Sequence, residues 1–379
     1  MRSIHFAIAV MGCLNCVGNG AYAQQASSVA LRPMAIEGAF AGKKANAAAT
    51  DISGMACLPA TATSRTCLLI NDENRSAQFA TIQNDRIIVG RAVPLIGKAP
   101  DSRKLGSRPA ETCKEVDDFE EMDGEGVAYA EPYLYVVGSH GCSRGKGKFR
   151  LSSFILARVR VDRQGQPVDS ADRPLAAENF SEAVETTYRV SDWLKRSGAA
   201  AGFFAKDLES ADGLNIEGIA VQGGTIWFGL RGPIVKSPDK PVGDKGSAFL
   251  VGGDIADLFK PGPAPSKAEP RVIPVALEGL GIRDLAMLPD QRLLVVAGAA
   301  HGPEVPFQLL VVDPANGDAK PIGSLAEIKQ PVDGKITTGK AEGVTVLDAT
   351  TDKAQIVILF DALLDGAPHR SEIPIPKRN

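Results

Sequence analysis

The stretch 215–233, NIEGIAVQGGTIWFGLRGP, determines how the rest of the chain is interpreted. An acidic residue and a glycine, Glu217 and Gly218, lead into a short apolar run. A Gly-Gly pair separates this run from a second one, which ends in Arg231 and Gly232. Two glycines between apolar runs are typical of a β-hairpin turn. The stretch therefore predicts a strand-turn-strand unit.

Four other stretches repeat this unit, each beginning with a similar short motif. The motifs are DISGMACL, DGEGVAYA, IRDLAML and AEGVTVL, at 51–58, 123–130, 282–288 and 341–347. A hairpin that recurs at intervals of tens of residues indicates radial or solenoid repetition. A closed ring hides the apolar faces and strand edges that a single unit would expose, whereas a sandwich does not repeat one motif at the same strand. The sequence therefore predicts an all-β fold, a β-propeller with five recognisable blades.

The total number of blades and the closure of the ring depend on less regular segments. Residues 163–212 break the rhythm of the repeat, and the mixed helical and strand pattern of 181–195 within them predicts an outer strand, a helical insertion, or both. A sixth blade within this segment is the alternative, so we expect five or six blades. Only one weak strand, 371–375, follows the fifth hairpin. The N-terminal run 35–40 is therefore predicted to supply the missing fourth strand and to close the ring.

Composition limits the classes of protein to which the chain can belong. The 379 residues are 44% hydrophobic, enough for a large core, and they include 39 Gly and 25 Pro, which suits short strands joined by turns. The net charge of -3 is spread along the chain without a long basic run. Because nucleic-acid binding needs concentrated positive charge, we expect no nucleic-acid partner.

The first residues resemble a secretory leader. Arg2 precedes a mostly apolar run, 6–17, that is too short to span a bilayer. Ala21 and Ala23 place small side chains where a signal peptidase reads them, so we expect cleavage before Gln24. A lipid anchor on an early cysteine is the rival interpretation, but the residues before those cysteines form a poor lipobox.

The chain after the leader is predicted to be a periplasmic or secreted protein. Residues 1–23 form the signal peptide, and 24–379 form a single propeller domain with a partly helical insertion near 163–212. No later run is long and apolar enough for a membrane helix, so we expect no membrane span. The sequence leaves the oligomeric state open.

Four cysteines remain after cleavage, and their number suggests two disulfides in an oxidising compartment. Cys57 and Cys67 lie on either side of a turn, where neighbouring antiparallel strands can bring them together. Cys113 and Cys142 then form the second pair by elimination. A zinc site is the rival interpretation, but the chain after the leader has no CxxC motif and no nearby pair of histidines.

Part of the repeat resembles known proteins. The block from EGIA at 217–220 to GLRGP at 229–233, with SAFLV at 247–251, resembles a bacterial family of secreted proteins described only as a domain of unknown function. This resemblance covers most of the chain after the leader and implies no particular activity. The repeated EGVA and EGIA motifs are more distantly similar to esterase-like phytases and to other six-bladed extracellular propellers.

The repeat also predicts which polar residues meet. In a propeller the first strand of each blade lines a central tunnel, so the starts of these strands and the ends of the second strands share one face. From the strand starts come Asp51, Asp123, Glu125, Asn215, Glu217, Arg283, Asp284, Lys340 and Glu342, and from the second-strand ends come Asp72, Glu73, His140, Arg231, His301 and Asp361.

Three glutamates at equivalent positions suggest a metal-dependent enzyme. Glu125, Glu217 and Glu342 would repel one another in a tunnel unless a cation or basic side chains compensated them. Carboxylate oxygens suit Ca²⁺ or Mg²⁺, which can polarise a phosphoryl or carbonyl oxygen. The hypothesis is therefore a metal-dependent hydrolase of an anionic ester, phosphoester or lactone.

The other candidate residues complete this hypothesis. His140 or His301 would act as the general base near neutral pH. Arg231 and Arg283 would bind the negative charge of the substrate, with Asn215 beside them.

A structural interpretation of the same motif is the alternative. An acidic residue before the inner strand can accept backbone N–H groups of its own turn, and the glycine after it permits close packing. The glutamates could also pair with Arg231, Arg283 and Lys340, which would leave no charge for a metal to balance. The protein would then be a non-catalytic propeller that offers its tunnel mouth or rim to a ligand, a polysaccharide or a protein partner.

Overall fold

The described part of the chain starts with a strap of three short strands and continues as a ring of sheets. The computed structural model describes residues 28–378 except 45–46, 62, 101–104, 110–112, 117–118, 145 and 237–243. The predicted leader and its cleavage site lie outside the described residues. No helix among the described residues is long and apolar enough to cross a membrane.

The strands of the strap and of the first two blades follow one another along the first half of the chain. The strap consists of β1 Ser28–Val29, β2 Arg32–Pro33 and β3 Ala35–Glu37. Blade 1 consists of β4 Ile52–Cys57, β5 Ser64–Asn71, β6 Ser76–Gln83 and β7 Arg86–Pro94. After β8 Glu115–Val116, the next strands are β9 Gly124–Ala130, β10 Tyr133–Gly138, β11 Lys148–Phe149, β12 Leu156–Arg160 and β13 Val184–Thr187. Blade 2 contains β9, β10, β12 and β13, while β8 and β11 form a separate parallel pair.

The remaining three blades occupy the second half of the chain. Helices α1 Val190–Leu194 and α2 Leu208–Ala211 come first. Blade 3 consists of β14 Asn215–Gln222, β15 Thr225–Gly232, β16 Ala248–Asp254 and, after α3 Ile255–Leu258, β17 Arg271–Val275. Blade 4 consists of β18 Gly281–Met287, β19 Leu293–Gly298, β20 Gln308–Val312 and β21 Ala319–Leu325. The hairpin β22 Lys329–Val332 and β23 Lys335–Thr338 precedes blade 5, which contains β24 Lys340–Ala349, β25 Lys353–Asp361 and β26 His369–Pro374.

The five sheets form a closed β-propeller, as the repeat predicts. Within each blade, neighbouring strands of the meander pair antiparallel. The first strand of each blade contacts the first strands of both neighbouring blades, including β24 against β4. The ring therefore closes between the last and the first blade.

Each of the five hydrophobic cores formed by the described residues lies between two blades. Successive residues of an inner strand point into opposite cores, so Val127 packs with Ile70 of blade 1, whereas Ala128 packs with Ile219 of blade 3. This is the period-2 alternation expected of a strand that is buried on both faces. The core between blades 5 and 1 stabilises the contact between the last blade and the first.

The strap closes the ring, but not with the residues that the sequence predicts. Segment 35–40 was expected to form the fourth strand of blade 5, whereas β3 instead pairs in parallel with β7 of blade 1. The outer partner of blade 5 is β2, and β1 pairs with β21 of blade 4. The strap crosses three blades and therefore offers each one only two or three residues. A closing strand of six residues on one blade was the wrong expectation.

Residues 163–212 do not form a sixth blade. They supply β13, the outer strand of blade 2, together with α1, α2 and turns of 3₁₀ helix at Ala177–Ala183 and Gly198–Phe203. Both a strand and a helical insertion are therefore present, as the mixed pattern predicts. The expected disulfides Cys57–Cys67 and Cys113–Cys142 are both formed.

Candidate functional site

The glutamates of the repeat lie at β-bulges. In every blade, the pairing of the first two strands skips one residue of the first strand at the same place. An extra residue in one strand redirects a side chain away from the regular alternation. The skipped residues, in blade order, are Ser53, Glu125, Glu217, Arg283 and Glu342. These five positions form what we call the bulge ring.

Arg283 occupies the position in blade 4 that glutamates occupy in blades 2, 3 and 5, and it bridges two of them. Its side chain is fully buried, with Nε 3.3 Å from Glu217 Oε2. Its Nη2 contacts Glu342 Oε1, and its Nη1 donates a hydrogen bond of 3.1 Å to the Ala299 carbonyl. The arginine thus serves as an internal counter-charge within the bulge ring.

Arg231 comes from a second bulge in blade 3. Strand pairing joins Ile216 to Leu230 and Asn215 to Gly232, so Arg231 is left out of the ladder between them. Its Nη1 is 3.0 Å from Glu217 Oε1, and its Nε donates a 2.7 Å hydrogen bond to the Ala300 carbonyl. Two bulge residues of one blade therefore form a buried ion pair.

The two arginines set the charge of Glu217. Burial acts to raise the pKa of this carboxyl, but Arg283 and Arg231 hold the pKa below its usual value. Glu217 and Glu342 carry two negative charges, and Arg231 and Arg283 carry two positive ones. This part of the bulge ring is therefore balanced without a further ion.

Glu125 differs from the other two glutamates. It forms no ion pair with the described residues, although it is only 8% exposed. Burial, followed by the carboxylates of Glu217, Asp123 and Asp72, raises the pKa of Glu125 well above its usual value. Glu125 therefore holds a proton at pH values where Glu217 is ionised.

Further carboxyl groups lie on one side of the tunnel mouth, the side that is formed by blades 1, 2 and 5. Burial, then Asp123, Asp361 and Asp51, raise the pKa of Asp72 well above its usual value. Burial and Asp361 also raise the pKa of Asp51, against a hydrogen bond from Thr50. Lys340 compensates only part of this charge, through a 3.0 Å contact with Asp361.

These groups surround a small polar cavity at one end of the tunnel. The cavity has a volume of about 80 Å³, room for a few waters or the head group of a larger molecule. From the bulge ring and its surroundings it is lined by Asp72, Asp123, Glu125, Asn215, Glu217, Arg231 and Glu342, and from the loop above by Ser143, Arg144, Arg150 and Ser153. The oxygens Asp72 Oδ1 and Asn215 Oδ1 are buried without a hydrogen-bond partner in the described part of the chain.

The loop residues at the cavity were not among the predicted site residues. Ser143 and Arg144 directly follow Cys142, which is bonded to Cys113. Both disulfide partners can be identified in the sequence, and a bonded cysteine four residues after the end of β10 is the available indication that this loop covers the mouth.

The two histidines predicted as general bases do not meet at the cavity. His140 is fully buried, with Nδ1 2.8 Å from the Gly138 carbonyl oxygen and its ring edge-on to Phe154. Burial lowers its pKa to about 4. His301 is half-exposed, with Nδ1 3.5 Å from Asp212 Oδ1.

Asp284 and Lys340 act within the framework of the mouth. Asp284 Oδ1 accepts the Leu285 N–H at 2.7 Å, and its Oδ2 accepts the Val344 N–H of the next blade at 2.6 Å. This matches the structural interpretation of an acidic residue that holds one blade to another. Lys340 pairs with Asp361 and not with a glutamate of the bulge ring.

The three glutamates do not fit a metal site as they are arranged. Glu217 and Glu342 already contact arginines, which occupy carboxylate oxygens that a metal ion would need. Within the described ranges, no group of three or more His, Cys, Asp or Glu side chains is placed to hold a metal ion.

The fold and the mouth define a five-bladed propeller with a charged, mostly buried ring at one end of its tunnel. Residues 110–372, more than half of the chain, match the family described as "Protein of unknown function (DUF3616)". The chain therefore belongs to this family. No curated protein sequence matches it.

Several solved structures resemble the chain at low identity. A GH62 hydrolase in complex with xylotriose matches with a TM-score of 0.38 and 11% identity, over 92% of this chain and 98% of that one. A structure of the GH130 family of mannoside phosphorylases matches with 0.35 and 10%, over 87% and 85%. Kuenenia stuttgartiensis hydrazine synthase matches with 0.35 and 13%, over 85% of this chain and 66% of that one. Similarities this low carry no argument about the reaction of this protein.

Proposed function

We propose that this protein is an exported propeller that binds the polar head group of a small molecule at the mouth of its tunnel. The observation that carries the proposal is the pair of buried oxygens beside the cavity, Asn215 Oδ1 and Asp72 Oδ1, for which the described residues supply no hydrogen-bond partner. A buried polar atom without a hydrogen bond costs about 1–3 kcal/mol. Hydrogen-bond donors from a ligand, in place of solvent, would offset this cost.

The charges of the site favour a ligand that donates hydrogen bonds over an anion. Arg231 and Arg283 were expected to bind a negatively charged substrate, but both are engaged by Glu217, and Arg283 also contacts Glu342. An anion would have to compete with these buried carboxylates for the same guanidinium groups. The two arginines of the loop above also face carboxylates, since Arg150 contacts Glu121 and Arg144 acts on Glu125 and Glu217.

Export remains part of the proposal. Two disulfides are typical of proteins that fold in an oxidising compartment. Expression in a bacterial host with the full leader, followed by mass measurement of the periplasmic protein, tests it. A mature chain that begins at Gln24 supports export, whereas an uncleaved cytoplasmic chain contradicts it.

The ligand-binding proposal is tested with a panel of small polyols, amines, carboxylates and Ca²⁺ in an NMR titration of the amide signals. We expect at least one class to bind, and Asn215→Ala to weaken that binding by about tenfold or more. Asn316→Ala is the matched control, because Asn316 lies in an exposed turn where its side chain bonds to Asp318. Absence of binding by every class, or equal binding by both variants, would contradict the proposal.

A hydrolase is the second candidate, because two neighbouring carboxyls have pKa values shifted in opposite directions. Opposite pKa shifts of this kind allow one carboxyl group to donate a proton while the other stays ionised. Glu125 would donate its proton to the leaving oxygen as the bond from that oxygen to the acyl or phosphoryl centre breaks. The water that adds to this centre would return a proton to the Glu125 carboxylate, and Glu217 would remain ionised between its arginines.

Chromogenic phosphate esters and lactones, assayed between pH 5 and 8, test this candidate. We expect Glu125→Gln to abolish turnover and Glu131→Gln, a change at an exposed rim residue, to leave it intact. Turnover that needs Ca²⁺ or Mg²⁺ and stops in EDTA would support the metal-dependent form of the hypothesis. Turnover that is unaffected by Glu125→Gln would exclude Glu125 as the acid.

A further inference from the structure

The carboxylates at the mouth are distributed unevenly around the tunnel axis. Asp51 and Asp123 directly precede the inner strands of blades 1 and 2, Asp72 follows the second strand of blade 1, and Asp361 ends the second strand of blade 5. Each of Asp51, Asp123 and Asp361 acts electrostatically on Asp72. We call these four residues the acidic arc.

Positive charge near the acidic arc is limited. Lys340 is 3.0 Å from Asp361, while Asp123 accepts a hydrogen bond from the hydroxyl of Ser139. The arginines of the opposite side, Arg231 and Arg283, are bound to glutamates of the bulge ring. Two further arginines, Arg144 and Arg150, line the cavity from the loop above, but Arg150 contacts Glu121 and Arg144 acts on Glu125 and Glu217. The arc therefore holds four carboxyl groups against one lysine, and an ammonium beside it would stabilise their ionised forms.

Asn215 provides an independent indication of a ligand. It is 8% exposed, lines the same cavity as Asp72 and Asp123, and its Oδ1 has no hydrogen-bond partner in the described ranges. An amide oxygen only accepts hydrogen bonds, as an ionised carboxylate does. The unsatisfied oxygens at the cavity therefore favour a ligand that carries hydrogen-bond donors, and the acidic arc favours a ligand that is positively charged.

We propose that the group bound in this cavity is the ammonium of a small organic amine, held by the acidic arc and by Asn215 Oδ1. An ammonium presents three N–H donors and one positive charge, and its hydrogen bonds to carboxylates span about 2.7–2.9 Å. A calcium ion needs six to eight oxygens within about 2.3–2.6 Å, and the described acidic side chains are not placed to hold a metal ion. A cavity of about 80 Å³ accommodates an ammonium while the rest of the molecule extends towards the loop above.

This inference rests on the proposed ligand-binding function and specifies its ligand. The test uses three probes with the same alkyl chain, namely butylamine, 1-butanol and butyrate, with Ca²⁺ as a fourth probe. Each is titrated into the mature protein at pH 7 and low salt, with NMR amide shifts as the measurement. We expect butylamine to bind at least about tenfold more tightly than 1-butanol and butyrate, and its affinity to fall as salt is raised.

The variants locate the binding. Asp72→Asn is expected to weaken butylamine binding by about tenfold or more, since it replaces a carboxyl group, whose ionised form a bound ammonium would stabilise, by a neutral amide of the same shape. Asp85→Asn is the matched control, because Asp85 is a 79% exposed aspartate that pairs with Arg370 on the outer side of the ring. If Asp72→Asn does not fold, the comparison of the four probes with the unaltered protein still decides the question.

Each outcome bears on a different claim. Equal binding of 1-butanol and butylamine overturns the ammonium proposal and leaves the ligand-binding function standing. Tighter binding of butyrate, or binding of Ca²⁺ alone, overturns it in the same way. If none of the four probes binds, the ammonium proposal fails, and the broader panel with Asn215→Ala then decides the ligand-binding function.

Discussion

Glu217 is the residue on which the charges of the tunnel mouth depend. It contacts Arg231 at 3.0 Å and Arg283 at 3.3 Å, and all three side chains are almost completely buried. A buried ion pair adds little net stability compared with apolar residues of the same shape. Removal of one partner is expensive, however, because it leaves an uncompensated buried charge.

Glu217→Gln is therefore expected to lower the free energy of unfolding by about 3–5 kcal/mol. Urea denaturation at pH 7 measures the change. Glu131→Gln, which breaks an exposed pair with Arg163, serves as the control and should have little effect. Equal costs for the two variants would show that the arginines do not depend on Glu217.

Glu125 is expected to make stability depend on pH. Its pKa is raised in the folded protein, whereas an unfolded glutamate has a pKa of about 4.3. Between these two values the folded state binds more protons than the unfolded state. The stabilising effect of protonated Glu125 is therefore complete below about pH 4.3 and is lost as the pH rises through the folded pKa.

Glu125→Gln removes this dependence, because glutamine carries no titrating proton. We expect the variant to be more stable than the natural protein at pH 8 and similar to it at pH 4, as measured by urea denaturation. Glu327→Gln, at an exposed residue beside Lys329, is the control and should not change the slope between these pH values. A parallel pH profile for Glu125→Gln and the natural protein would mean that Glu125 is ionised in the fold.

At the scale of the elements, a glycine follows the bulge in four of the five blades, and at Gly54 and Gly218 this glycine determines how closely neighbouring blades approach. A Cβ at Gly218 would lie 2.8 Å from the Leu285 nitrogen of blade 4, and one at Gly54 would lie 2.9 Å from the Gly126 Cα of blade 2. Backbone atoms at such distances cannot move without separating the inner strands. The repeated acidic-Gly motif thus combines a side chain at the mouth with close contact between blades.

Gly218→Ala is expected to cost about 1–3 kcal/mol, the usual range for an overpacked core. Gly202→Ala is the matched control, since a Cβ there would have no atom within 4 Å. Thermal and urea denaturation of both variants measure the difference. If Gly218→Ala is as stable as its control, the inner strands are not in tight contact.

At the scale of the whole molecule, the strap stabilises the closed ring. It adds an edge strand to blades 4, 5 and 1 in succession, and it buries Val29 and Met34 in two of the cores between blades. Met34 also donates its N–H to the Pro368 carbonyl at 2.9 Å.

Deletion of residues 28–37 is expected to lower the free energy of unfolding by about 3–6 kcal/mol, at about 1.5–3 kcal/mol for each of the two buried side chains. It also exposes three strand edges, so we expect aggregation on heating. Calorimetry and light scattering of this variant, compared with a chain that begins at Ser28, are the measurements. A deletion variant with unchanged stability would show that the blades close without the strap.

Much of the fold follows from the sequence, because the repeat is a local pattern. Each hairpin has its own apolar runs and turn, and stacking five such units buries faces that none can bury alone. Segment 35–40 pairs with blade 1 and not, as predicted, with blade 5, because the path of the strap around the outside of the ring determines which blade it meets. No local sequence pattern encodes that path. The sequence does not exclude a sixth blade within 163–212, because short helices and a single strand produce no distinct hydrophobic period.

The sequence by itself determined that equivalent glutamates would meet at one end of a tunnel, because repeated units place equivalent residues on a common face. It also determined both disulfides, by spacing and by number. Only the tertiary structure decided the partner of each charge. The order of the blades places Arg283 between Glu217 and Glu342, and leaves Glu125 facing other carboxylates. Charge pairing acts over a few ångströms between residues that are distant in the chain, so it is known only when the ring is closed.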